Sequence, residues 1–310
     1  MKVFITGGAG YIGSWLVPEL LAKNYEVSVI DNLLFNQTTL LPHFANKNFS
    51  FTRGDIRNFA LMKKLVDEAD IIVHLAAILG EPACRVHPDL AESVNIKASI
   101  NLDNLRGKKP LIFSSTGSNY GKVDGICTEE TPTNPLSLYA QTKLEAEKTF
   151  LQSGNAIVYR FATGFGVSPR MRFDNLLNDF CYKAVTNGSL IIYEKDARRT
   201  FIHVRDMARA LAFGAQNFDT MNNNIFNVGH ESLNLTKEEA ALIIKRYLPK
   251  LYIHFAEIGS DPEKRDYKVS YAKIRKAGFE TSITLDEGIA EMVRALPAIK
   301  IYNPYSNFPE

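Results

Sequence analysis

The chain has 310 residues, with 45% hydrophobic and 23% charged side chains and a formal net charge of +2. That suffices for one large domain or two linked ones with a sizeable core, and it excludes disordered, collagen-like and disulfide-dense compositions. The charge balance, without a dense Lys/Arg stripe, excludes an obvious nucleic-acid footprint, and Cys84, Cys127 and Cys181 have neither disulfide nor zinc-ligand spacing.

Lys2–Thr6 (KVFIT) reads as a short buried strand, followed at once by Gly7, Gly8, Gly10 and Gly13. Because glycines interrupt it, this apolar start is expected to be neither signal peptide nor membrane span. Trp15–Ala22 then repeats apolar residues at helical spacing, so the glycines occupy a strand-to-helix turn. A helix N-terminus there offers unpaired N–H groups and a positive dipole end to an anion. Small residues let the backbone approach a pyrophosphate.

Val27–Asp31 (VSVID) reads as a second strand, Phe49–Arg53 as a third and Ile71–Leu75 as a fourth. Leu111–Ser115 and Ile157–Phe161 read as a fifth and a sixth. Helical patterns over Asn58–Asp67, Asp89–Arg106 and Tyr139–Gln152 lie between them. The alternation predicts an α/β fold of right-handed βαβ units around a doubly wound parallel sheet, with ligands at the carboxyl ends of the strands. After Gly166 the pattern loosens, and helices are expected at Phe173–Thr186 and Lys237–Tyr247. The expected division is a dinucleotide domain over 1–166, joined again by 197–224, and a smaller substrate lobe over 167–196 and 225–310.

Asp31 closes the second strand, where a carboxylate accepts hydrogen bonds from an adenosine ribose and repels a 2′-phosphate, favouring NAD over NADP. Asp55 follows the third strand and can reach an adenine amino group or cap the next helix. Leu75, Ala76 and Ala77 end the fourth strand with the small residues that a backbone lying against a cofactor requires. Tyr139 and Lys143 stand four apart in a helical pattern and so share one face. A lysine beside a tyrosine lowers the phenol pKa and lets it act as a base. Thr116 at the end of the fifth strand can bond the same substrate oxygen.

TGGAGYIG, the Asp31–Asn32 pair, GDIRN, HLAA, SSTGSNYG, YAQTK, YRFATGFG and RRTFIHVRD together resemble the extended short-chain dehydrogenase/reductases of the nucleotide-sugar epimerase/dehydratase group. The resemblance spans nearly the whole chain. It implies a Rossmann-type domain that binds NAD and a C-terminal lobe that holds a nucleoside-diphosphate sugar, with hydride transfer at a sugar carbon, often carbon 4. Carried over, the cofactor contacts are Gly7, Gly10, Tyr11, Ile12, Gly13, Asp31, Asn32, Asp55, Ile56, Leu75, Ala76, Ala77, Tyr139 and Lys143. The catalytic group is Thr116, Tyr139 and Lys143, with Tyr139 as base. The substrate contacts are Glu81, Thr116, Ser118, Thr163, Arg172, Arg199 and Arg265.

Two departures matter. Dehydratases of the group resemble SSTDEVYG, with an acid–base carboxylate pair where this chain has Gly117 and Ser118. Dehydration thus loses its acid and its base. The asparagine that sugar 4-epimerases carry after the sixth strand is Thr163 here.

The blocks SPRMRFDNLLNDF, RRTFIHVRDM and YIHFAEIGSDPEKRDYKVS resemble a branch of bacterial capsule pathways that oxidises carbon 4 of a GDP-sugar. Single arginines are often solvated surface charges, and Glu81 can hold a sugar hydroxyl or cap a turn. His203 reads as structural, with Asp206 capping the next helix. The three unpaired cysteines fit a reduced, cytoplasmic setting, and the resemblance implies a homodimer through the helices Asp89–Arg106 and Tyr139–Gln152, with Leu90, Val94, Leu144 and Phe150 as apolar contacts. No metal, nucleic-acid or membrane partner is expected. A non-catalytic dinucleotide-binding regulator is the rival reading, and the retained Tyr139, Lys143 and Thr116 speak against it.

Overall fold

The computed structural model describes residues 1–257 and 266–299. Five strands, β1 (Lys2–Thr6), β2 (Glu26–Asp31), β3 (Phe49–Arg53), β4 (Ile71–His74) and β5 (Leu111–Thr116), share one sheet with a sixth, Ala156–Phe161, and a seventh, Asn224–Val228. Their spatial order is β3, β2, β1, β4, β5, sixth, seventh, and every neighbouring pair is parallel. The strand order reverses between β1 and β4. The glycine turn after β1 and the Leu75–Ala77 segment after β4 therefore flank one crevice, where open α/β sheets bind ligands.

Side chains alternate across the sheet. Val3 and Ile5 enter one core with Leu16, Leu20 and Leu211, and Phe4 enters the other with Met62, Val66, Leu102 and Phe150. Helices thus cover both faces, which explains why β4 and the sixth strand are buried throughout. A separate core of Phe165, Phe180, Leu190, Phe201, Ile244, Ile289 and Met292 defines the smaller lobe. The Arg198–His203 strand serves both, with Phe201 in the lobe core and Ile202 in the sheet core.

Several expected elements differ. The return to the sheet expected over 197–224 runs on through the strand Asn224–Val228, whose polar Asn224 and Asn227 disguise it. Tyr267, Val269, Tyr271, Ile274 and Phe279, assigned to the lobe from sequence, pack into the sheet core. The helix expected from Phe173 starts at Leu176, because Asn178 Nδ2 donates to the Arg172 carbonyl at 2.8 Å.

The helix expected over Asp89–Arg106 is three pieces: Pro88–Ala91, a π-turn over Glu92–Lys97, and Ala98–Arg106. His203, not Asp206, caps the helix Val204–Gln216 by accepting from Arg205 N, and the buried Asp206 accepts instead from Ser282 N and Ile283 N.

The proposed apolar contacts of the homodimer are turned inward. Phe150 is fully buried, Leu144 and Val94 are nearly so, and Leu90 and Val94 line the crevice. The outward face of the helix Leu138–Ser153 carries Gln141, Glu145, Lys148 and Gln152. No helix among the described residues is long and apolar enough to cross a membrane.

Candidate active site

The crevice is a cleft open to solvent. Gly7, Gly10, Tyr11, Ile12, Gly13, Asp31, Asn32, Asp55, Ile56, Leu75, Ala76 and Ala77 all line it. Gly7 has φ +72°, and a Cβ there would lie 2.7 Å from the Ala76 backbone. Only glycine lets the two strand ends approach so closely. A Cβ on Gly13 would lie 2.5 Å from Gly8 Cα, so the helix Gly13–Ala22 can start against the turn only without a side chain. No side chain caps that helix, and the N–H groups of Tyr11 and Ile12 have no intramolecular acceptor among the described residues. These are the donors an anion would meet.

The Tyr11 hydroxyl is engaged elsewhere. It is buried, donates to Gly166 O at 2.7 Å and accepts from Asn178 Nδ2 at 3.2 Å, tying the turn to the start of the lobe. Trp15 Nε1 donates to Val167 O at 3.0 Å in the same seam.

Asp31 is buried and accepts from Ala9 N at 3.0 Å and Leu33 N at 2.8 Å. Burial pushes its carboxyl above the ordinary range, against those two N–H groups and the charge of Arg170. Asp55 is not the helix cap: Asn58 is, accepting from Leu61 N. The Asp55 carboxylate instead holds Arg57, whose hydrogen bonds keep it below the usual range.

Thr116, Tyr139 and Lys143 do not line this cleft. Thr116 ends β5, donates to Ser118 Oγ at 3.1 Å and accepts from Ser118 N at 3.1 Å. Ser137 caps the helix that carries Tyr139 and Lys143. Lys143 is buried with its ammonium 4.1 Å from the Phe113 ring centroid, and burial pulls it down to about 7, opposed by Glu147. Glu81 accepts from Tyr139 N at 3.3 Å, so its carboxylate sits at the N-terminal turn of that helix.

Arg172 also faces the cleft and binds Asp174 through two hydrogen bonds, at 3.2 and 2.5 Å. Burial works against its charge, but Asp174, Tyr139 and Tyr11 together hold it above the ordinary arginine value. Thr163 begins a short strand paired with Phe201–His203. Arg199 is buried and donates to Arg198 O at 2.9 Å. Arg265 lies outside the described residues.

Three further residues shape this neighbourhood, of which sequence reading missed Asn95 and His74. Asn95, in the π-turn, accepts from Ile78 N at 2.8 Å and donates to Ile78 O and Thr142 Oγ1, both at 3.0 Å. It clamps the cleft wall after β4 to the helix Leu138–Ser153. His74 links Thr6 and Ser99. Ser99 Oγ donates to Asn95 O at 2.7 Å, so it accepts from His74 Nε2–H, and Nδ1 of the neutral ring accepts from Thr6 Oγ1. Burial, then the charge of Lys143, holds His74 down at about 3, so the ring is neutral. A histidine ending an otherwise apolar strand is the signal that could have found it. Arg170 is buried, lines the cleft and lies 4.2 Å from the Phe35 ring centroid.

Known proteins resemble this chain in sequence and in fold. The family model described as "NAD dependent epimerase/dehydratase family" matches residues 3–229. The chain is 28% identical to a putative UDP-glucose 4-epimerase of Methanocaldococcus jannaschii, over 94% of this chain and 97% of that one. It is 27% identical to UDP-glucuronic acid decarboxylase 1 of Danio rerio, over 94% and 72%. Among solved structures it superposes on the UDP-glucuronic acid 4-epimerase of Bacillus cereus with a TM-score of 0.86, at 22% identity over 96% and 99% of the two chains. The NAD complex of Thermus thermophilus UDP-glucose 4-epimerase gives 0.82 at 25% identity, over 96% and 99%.

Proposed function

Because the chain belongs to the NAD dependent epimerase/dehydratase family, and its cofactor is NAD, we propose that it takes hydride from carbon 4 of a nucleoside-diphosphate sugar. One observation carries this reading. Tyr139 and Lys143 lie on one face of a helix packed against the β5 end, with Lys143 fully desolvated. When bound, NAD supplies the hydride acceptor. The unpaired N–H groups of Tyr11 and Ile12 would hold its pyrophosphate, and Asp31 its adenosine ribose. Tyr139 would remove the proton of the carbon 4 hydroxyl, Thr116 would hold that oxygen, and Lys143 would orient the nicotinamide ribose.

We assign the sugar and diphosphate to Glu81, Ser118, Thr163, Arg172, Arg199 and Arg265. Arginine forks suit the diphosphate charge. Elimination of water is not part of the proposal. Gly117 and Ser118 form a buried turn with no carboxylate to serve as its acid or base.

Within this reading the product leaves as a 4-keto sugar, and the sugar is a GDP-heptose. The activity is then that of a GDP-glycero-manno-heptose 4-dehydrogenase serving surface polysaccharide synthesis. The blocks SPRMRFDNLLNDF and RRTFIHVRDM support it. Sugar 4-epimerisation is the second reading, favoured by the end-to-end similarity to the Methanocaldococcus jannaschii protein. A homodimer remains part of the proposal, meeting through a polar helix face.

The test is to denature purified protein and identify the released dinucleotide and nucleotide sugar by mass spectrometry. GDP-heptose and UDP-glucose are then offered in turn to the NAD-loaded protein. Reduction of bound NAD by the first and not the second supports the dehydrogenase. Interconversion of UDP-glucose and UDP-galactose supports the epimerase, and reaction with neither removes both readings.

A further inference from the structure

Tyr139 and Lys143 come from a helix, and Thr116 comes from a strand. Their relative position has to be fixed by something between the two elements. The side chain that bridges them is Glu147, one helical turn beyond Lys143. Its Oε2 accepts from Ser115 Oγ at 2.6 Å and from Asn119 Nδ2 at 3.0 Å. Its Oε1 meets Arg160 Nη2, from the sixth strand, at 2.5 Å. Both side chains of that ion pair are at most 5% exposed. Ser115 is the residue before Thr116, so the carboxylate is anchored one position from the strand-end hydroxyl.

Glu147 also has an electrostatic role that a neutral anchor could not fill. Three titratable groups act with Lys143 across its packed surroundings: Cys84, His74 and Glu147. Cys84 is pushed up to about 12 by burial and stays a thiol. His74 is held at about 3 and stays neutral. That leaves Glu147, on the same helix face four residues on and ion-paired with Arg160, as the carboxylate of the three.

We propose that Glu147 is a positioning residue of the active site, whose buried carboxylate bolts the Tyr139–Lys143 turn to the Thr116 strand end and supplies the counter-charge that keeps Lys143 cationic. The catalytic part of this rests on the function proposed above; the charge of Lys143 does not. Ser115→Ala and Glu147→Gln separate the two roles. Ser115→Ala cuts the anchor and leaves the charge. Glu147→Gln keeps an acceptor for Ser115 and removes the charge.

The experiment is a pH titration of lysine ε-carbon resonances in labelled full-length protein, with the Lys143 signal assigned by its loss in Lys143→Met. A unit charge at helical i, i+4 spacing is worth about one pH unit or more in a buried setting. Glu147→Gln should therefore lower the Lys143 midpoint by about that much, and Ser115→Ala should leave it in place. In single-turnover reduction of bound NAD, Ser115→Ala should be slower by about tenfold, as a displaced reacting group would be.

An unmoved Lys143 midpoint in Glu147→Gln overturns the counter-charge. A native hydride-transfer rate in Ser115→Ala overturns the bolt. Glu147→Gln leaves Arg160 buried without its partner and can fail to fold. The double variant Glu147→Gln with Arg160→Met then takes its place and is read against Arg160→Met, from which a downward shift is required of it. Failure of the substrate assignment would leave the titration result untouched, so the two failures are distinguishable.

Discussion

Glu81 and Tyr139 meet through a hydrogen bond from the Tyr139 backbone N–H to the Glu81 carboxylate at 3.3 Å. The short helix Glu81–Val86 after β4 is thereby joined to the helix that carries the proposed base, and a carboxylate sits at that second helix's positive end. The cleft wall and the helix face proposed to be catalytic are thus held as one unit, although the cleft itself stops short of Tyr139.

Removing the phenol oxygen should separate binding from chemistry. Tyr139→Phe is expected to slow reduction of bound NAD by about 10² to 10⁴, the usual contribution of a placed general base, with unchanged NAD affinity. Thr116→Val should cost less in rate. It also strips the acceptor from Ser118 N, so a further loss of about 1–3 kcal/mol in stability is expected. Stopped-flow absorbance and urea unfolding measure the two effects.

Asp31 should make the protein choose NAD. A buried carboxylate at the ribose repels a 2′-phosphate, so NADP is expected to bind at least about tenfold more weakly, a difference of about 1.4 kcal/mol. Isothermal titration gives both dissociation constants. Equal affinities would remove Asp31 from the ribose.

Asn95→Ala should loosen the cleft wall. It leaves Ile78 N–H without its acceptor and takes one donor each from Ile78 O and Thr142 Oγ1, which keep Cys84 Sγ and the Tyr139 carbonyl as partners. The orphaned N–H costs about 1–3 kcal/mol, so a lower urea midpoint together with weaker NAD binding is expected. A change in stability alone would reduce Asn95 to a structural part.

The π-turn around Asn95 shows where sequence reading ends. β1 to β5 were legible because each is a short apolar run bounded by turn residues, and their boundaries were read to within a residue or two. Gly7, Gly13, Asp31, Tyr139 and Lys143 were legible because local spacing defines them. Asn95 is defined by partners 17 and 47 residues away, and the helical pattern over Asp89–Arg106 gives no hint of a wider turn. Glu147 reads as one more charge on a helix until Arg160 and Ser115 are brought beside it. The strand Asn224–Val228 was lost for the same reason, since Asn227 is satisfied only once Tyr120 donates to it at 2.7 Å.

His74 should give the protein an acid-sensitive stability. The folded ring stays neutral down to about 3, whereas an unfolded histidine takes up a proton near 6.5. Between those values the unfolded state binds more protons, so stability rises with pH there and is lost as pH falls below about 6.5, at about 1.4 kcal/mol per pH unit. Urea unfolding across that window should show the slope. His74→Gln, which cannot protonate, should flatten it.

The most direct measurement follows the hydride itself. A GDP-heptose carrying deuterium at carbon 4 is mixed with NAD-loaded protein, and the dinucleotide is released by denaturation and weighed. The expected result is deuterium on the reduced nicotinamide, appearing at a rate that Tyr139→Phe cuts by about 10² or more. Reduced cofactor without deuterium, or deuterium arriving at the native rate in Tyr139→Phe, would contradict carbon 4 as the hydride donor or Tyr139 as the base.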